Sequence, residues 1–216
     1  GSHTGCHLWF TDGKYITKKN IPKEFLHLRE QSQLQVERNH SYYNKNVRLY
    51  DSLIAHIVEQ IRNSEYISQK TDVISGQRGR LDTTKVWRAE YIEDNRIFHT
   101  YEEDNQPSFT VDLLLDASAS RLQYQEMLAA QGVIISKSLV ECNIPVRVTR
   151  FCSVRGYTVF HILKSFSDKK CDNIFNYYAA GWNRDGLAFR GIGKILDMNP
   201  GVADRHLVII LTDAAP

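Results

Sequence analysis

The sequence predicts an α/β fold with a doubly wound, mainly parallel sheet preceded by a helical region, and three observations carry that prediction. Residues 109–115 and 207–211 are near-continuous apolar runs of strand length, the pattern of strands covered on both faces. Between them, helix-like and strand-like stretches alternate. Each of the two runs is followed closely by an aspartate, Asp116 and Asp213, where open α/β sheets gather their ligands beyond the carboxyl ends of the strands.

The elements follow in order. Gly1-Ser2-His3 reads as a tag remnant, so the absence of a leader there says little about the intact protein. Pro22-Lys23-Glu24 suits a first helical turn leading into Phe25, Leu26 and Leu28. Tyr50, Leu53, Ile54, Ile57, Val58 and Ile61 recur at three- and four-residue spacing and predict an amphipathic helix over 46–64. The glycines and arginines of residues 75–82, SGQRGRLD, predict a basic turn, read either as a solvated loop or as a docking segment for an acidic surface. Asp82 is placed to cap a short helix through Val86 and Trp87, before a charged run over 90–104 anchored by Ile97 and Phe98.

Beyond the strand at 109–115, a helix is expected from Tyr124 through Leu139, then strands over 145–151 and 157–163, a helix over 185–197, and the strand at 207–211. This divides the chain into a mainly helical region, 1–105, and an α/β domain, 106–216.

Composition sets outer bounds. Hydrophobic residues at 42% and charged residues at 24% are those of a folding globular chain. A net charge of +2, from 27 basic and 25 acidic side chains, provides no global field for nucleic acid or an anionic membrane, and no apolar stretch is long enough to span a bilayer. Cys6, Cys142, Cys152 and Cys171 show no CxxC pairing, which suits reduced thiols in a cytoplasmic protein. None of the eight histidines has an HxxxH partner, and they read as surface or satisfied buried groups.

Asp116-Ala117-Ser118-Ala119-Ser120 presents one carboxylate and two hydroxyls at alternate positions in one tight loop. These are hard oxygen donors, suited to Mg²⁺ or Mn²⁺ and, with more ligands, Ca²⁺. Taken alone, the loop reads more readily as an ordinary helix-capping turn. Asp213, after a second apolar strand, would bring another carboxylate to the same crevice.

DxSxS after one buried strand and Thr-Asp after a later one resemble the metal-ion-dependent adhesion site of von Willebrand factor A domains. Where that family's third loop usually contributes a threonine, this chain reads Gly181-Trp182-Asn183-Arg184-Asp185-Gly186 and offers Asp185. With the segments GRLDTTKVWRAEY and NRIFHTYEEDNQPSFTVDLLLDASAS, this loop is similar to the NorD/CobT-like group that accompanies MoxR-type AAA+ ATPases. The likeness covers roughly residues 75–216.

The resemblance implies a metal site of Asp116, Ser118, Ser120, Asp185 and Asp213, with Asn183 and Arg184 available to a partner. Asp185 keeps two readings, a ligand (direct or through water) and a helix N-cap. As a ligand it would add negative charge, retaining the cation more strongly and weakening capture of an acidic partner residue. Tyr177, Tyr178 and Trp182 are read as packing beneath this loop.

The function implied is binding: an adaptor or co-chaperone acting with a MoxR-type ATPase on a client metalloenzyme, with an acidic partner residue completing the metal's coordination. No residue is assigned a catalytic role. Two alternatives remain, a CobT-like metal chelatase subunit and a metal-dependent phosphohydrolase. Against the second, Ser118 stands where a haloacid-dehalogenase-type phosphatase needs its acid. Family A domains usually continue past the strand that ends near Asp213, so the A-like domain is expected to be incomplete at Pro216.

Overall fold

A computed structural model describes residues 7–13, 23–68, 73–76, 80–81, 83, 91, 98–101, 109–154, 156–182, 185–198, 203 and 205–212. In chain order the elements are β1 (His7–Thr11), α1 (Lys23–Lys45), α2 (Val47–Ser68), β2 (Val73–Gly76), β3 (Arg80–Leu81), β4 (Phe98–Tyr101), β5 (Thr110–Asp116), a 3₁₀ turn (Ala119–Arg121), α3 (Gln125–Glu141), β6 (Val146–Val154), β7 (Tyr157–Lys164), a second 3₁₀ turn (Asp172–Asn176), α4 (Asp185–Met198) and β8 (His206–Leu211). They fall into two units, Gly1–Gln60 with Pro107–Pro216, and Ile61–Gln106.

The larger unit is built on a five-stranded sheet in the order β1-β7-β6-β5-β8. β5 pairs in parallel with both β6 and β8, β1 pairs in parallel with β7, and only the β6–β7 contact is antiparallel. A mostly parallel sheet needs cover on both faces, and alternation along β5 sends Leu114 and Leu115 to opposite sides. On one side Leu114, Phe151 and Phe160 pack with Ala188, Ile192 and Ile195 of α4. On the other, α3 approaches so closely at Gly132 that an added Cβ would lie 3.3 Å from a Leu115 methyl. Val111, Leu114 and Leu115 are fully buried. Each such side chain contributes about 1.5–3 kcal/mol relative to an exposed one.

The predicted helices and strands from residue 109 onward are all present, with bounds shifted by up to three residues. The first region differs more. α1 begins at Lys23, as the Pro22 signal suggests, but runs 23 residues where a short helix was expected. α2 buries Ile54 and Val58 of the predicted stripe, while Leu53, at its margin, is 42% exposed. β1 joins the sheet edge beside β7, where no element was expected.

The smaller unit holds an antiparallel sheet in the order β2-β4-β3. The expected basic turn at 75–82 therefore supplies strand residues at both ends, Ser75-Gly76 in β2 and Arg80-Leu81 in β3. The expected helix through Val86 and Trp87 lies outside the described residues.

Outside α3 lies α1, whose inward face is Gln35, Asn39 and Tyr43, spaced four apart and all buried. The Tyr43 ring meets Phe175 edge-on at 5.4 Å, and Lys137 of α3 lies 4.9 Å over the same ring. Asn39, fully buried, donates through Nδ2 to the carbonyls of Phe175 (2.8 Å) and Tyr177 (2.9 Å).

Candidate metal centre

The DASAS loop leaves the carboxyl end of β5 between β6 and β8, where parallel pairing brings three strand ends together. Asp116, the last residue of β5, is completely buried. Its Oδ1 accepts the backbone N–H of Ser118 at 2.9 Å, the local turn that aspartate favours after a strand. Its Oδ2 accepts the Thr212 hydroxyl at 3.0 Å, which fastens the β5 loop to the residue following β8. The Arg121 guanidinium stands 4.0 Å from the same oxygen.

Ser118 and Ser120 come together as the sequence spacing predicts, their hydroxyl oxygens 2.9 Å apart. Ser118 is buried, whereas Ser120 is exposed, so the hydroxyl pair reaches solvent on the Ser120 side.

A second segment, residues 177–182, locks this loop from above. Ala180 N–H donates to the Ala117 carbonyl at 2.7 Å and Ala119 N–H to the Gly181 carbonyl at 2.9 Å. Trp182 bridges Ser153 through both backbone groups, at 2.7 and 2.9 Å. Gly181 makes the turn possible: its φ is +85°, and a Cβ there would lie 2.6 Å from the Ser153 carbonyl oxygen.

Tyr177 is fully buried, and its hydroxyl makes a contact that joins it to the site. Its hydroxyl donates to the Asp116 carbonyl at 2.5 Å. Burial, and then the nearby Asp116 charge, push the phenol's pKa upward, so it stays a donor across the physiological range. Trp182 does not pack beneath: its side chain is 78% exposed, because the paired backbone at Ser153 and the Gly181 turn carry it out to the surface.

Of the five expected ligands, Asp116, Ser118 and Ser120 share one loop. Asp185 is the first residue of α4, and its side chain lies outside the described residues, as do Asp213, Asn183 and Arg184. Thr212 and Tyr177 were not read as parts of the site. The strand-end argument that singled out Asp213 applied equally to its neighbour Thr212; nothing in the sequence pointed to the Tyr177 hydroxyl.

The residues present suit a hard divalent cation. They offer hydroxyl and carboxylate oxygens, the donor type such an ion prefers, although among the described residues no three His, Cys, Asp or Glu side chains gather into a group that could hold a metal ion. Burial raises the Cys152 thiol, which disfavours a nucleophilic thiolate. A cleft of about 520 Å³ lined by Ile54, Lys137 and Cys171 opens between helices and contains none of these residues.

No protein-family model, curated protein or solved structure matches the chain. Among the described residues no helix is long and apolar enough to cross a membrane.

Proposed function

We propose that this protein is a divalent-metal-dependent protein-binding module of the von Willebrand A type, acting as adaptor or co-chaperone for a MoxR-type AAA+ ATPase in the maturation of a metalloenzyme. The observation that supports it best is the 2.9 Å separation of Ser118 Oγ and Ser120 Oγ beside the buried Asp116 carboxylate. Neighbouring ligands of an octahedral Mg²⁺, bonded at about 2.0–2.1 Å, lie about 2.9 Å apart. The same edge for Ca²⁺, bonded at about 2.4 Å, is about 3.4 Å. The pair is joined by a hydrogen bond at this distance, and the same separation would let both hydroxyls face one Mg²⁺.

In this reading Ser118 and Ser120 hold the cation, and Asp116 supplies negative charge, fixed in orientation by Ser118 N–H and Thr212. Asp213 and Asp185 are further candidate ligands. A divalent cation bound here supplies a coordination position that a partner's carboxylate can complete. Exposed Ser120 marks the side from which that carboxylate arrives. Asn183 and Arg184 are the candidate flanking contacts. ATP hydrolysis belongs to the partner, and this chain carries out no catalysis.

Co-purification with a MoxR-type ATPase tests the partner assignment. Association should require Mg²⁺, be lost in EDTA and be lost in Ser120→Ala. Association unchanged by EDTA contradicts a metal-dependent contact.

A further inference from the structure

The site's outer support comes from a helix remote from it in sequence. Asn39 of α1 is fully buried and spends both amide hydrogens on the carbonyls of Phe175 and Tyr177. Its own Oδ1 is held by Gln35 Nε2 at 3.0 Å, and Gln35 Nε2 also reaches Glu126 Oε1 of α3 at 2.9 Å. Two residues therefore bind α1, α3 and the 175–177 segment together. From the same Tyr177 whose carbonyl Asn39 holds, the hydroxyl reaches the carbonyl of Asp116. The following residues are fixed as well: Arg150 donates to the Tyr178 carbonyl, and Ala179 N–H donates to Gln125 Oε1 at 2.8 Å.

We propose that Asn39 is a positioning residue for the DASAS loop, with α1 setting the loop's cation affinity through Tyr177. The inference rests on the metal-binding reading above. It is physically economical: a buried amide with both donors and its acceptor satisfied has one orientation available, and a buried tyrosine transmits that position to Asp116 as a rigid strut. A contact made with an alkyl chain would fix the segment less sharply, because dispersion lacks direction. Coupling of this kind is reciprocal: if α1 docking favours cation binding, cation binding must equally favour α1 docking.

The test uses the full chain and Mg²⁺ as the probe, with affinity read by calorimetry and folding by urea denaturation. Tyr177→Phe removes only the hydroxyl, Asn39→Ala removes the amide, and the double variant closes a cycle. Each single variant should weaken Mg²⁺ binding by about 10- to 100-fold, the usual loss on removing a partner that orients a ligand. The double variant should lose no more than the worse single one, because both act along one line. Val58→Ala on α2, which loses core packing without touching this line, should lower the urea midpoint and leave affinity unchanged.

Full Mg²⁺ affinity in folded Asn39→Ala, or losses that simply add in the double variant, overturns the inference and leaves the metal site standing. Absence of Mg²⁺ binding in the unsubstituted protein overturns the metal reading itself. If Asn39→Ala does not fold, Gln35→Ala takes its place, since it frees the Asn39 side chain while retaining it, and the same outcomes decide.

Discussion

Thr212 donates its hydroxyl to Asp116 Oδ2 at 3.0 Å, joining the ends of β8 and β5, residues 96 apart in sequence. This one bond makes the proposed cation site a product of the sheet: neither strand end alone fixes the carboxylate. A hydrogen bond to a charged group contributes about 1.5–3 kcal/mol. Thr212→Val keeps the shape and deletes the donor, so urea denaturation should show a loss of about that size with an unchanged slope. A loss under ~0.5 kcal/mol would mean the bond does not hold in solution.

The two serines separate stability from binding. Ser120 is exposed, and its replacement by alanine removes only the hydrogen bond to the Ser118 hydroxyl, so folding stability should fall by no more than about 1.5 kcal/mol. Mg²⁺ affinity should nevertheless fall at least about tenfold. Equal Mg²⁺ affinity in Ser120→Ala and the unsubstituted protein would remove Ser120 from the ligand set.

α4 offers a matched pair of glycines. Glycine inside a helix normally costs about 0.8–1 kcal/mol relative to alanine. At Gly193 nothing lies within 4 Å of an added Cβ, so Gly193→Ala should raise stability by up to that amount. At Gly191 the Cβ would stand 2.0 Å from the Phe160 ring, in the core beneath the helix. There the sign reverses, and Gly191→Ala should destabilise by about 1–3 kcal/mol through overpacking. Thermal melts of the two variants check the opposite signs; a shared sign would contradict the seating of α4 on β7.

His161 gives the fold a defined acid response. Arg150 Nε donates to its Nδ1 at 2.9 Å, and burial first, then the Arg150 charge, lower its pKa from 6.5 to about 4. The neutral ring is the folded form. Its contribution is complete above pH 6.5, declines as pH falls toward 4 while the unfolded chain takes up a proton the folded one refuses, and is constant below that. The full span is about 3 kcal/mol. His161→Gln should flatten the stability profile between those limits, and profiles of the two proteins that stay parallel would refute a neutral buried ring.

The sheet was legible in the sequence because fully buried parallel strands leave continuous apolar runs, as residues 109–115 and 207–211 do. β1 was not, since its apolar run is only three residues long, Leu8-Trp9-Phe10, too short to mark a strand. The DASAS loop was readable because all its donors lie within five residues. Its supports were not. Two of the three buried positions on the inward face of α1 are the polar residues Gln35 and Asn39, which hydrophobic periodicity counts as surface. Tyr177, similarly, is an ordinary core aromatic until its hydroxyl is seen against Asp116.

Magnesium titration by calorimetry, on the unsubstituted protein and on Asp116→Ala, tests the central claim most directly. The account predicts stoichiometric Mg²⁺ binding that Asp116→Ala abolishes while remaining folded. Absence of binding to the unsubstituted protein, or undiminished binding to Asp116→Ala, would contradict it.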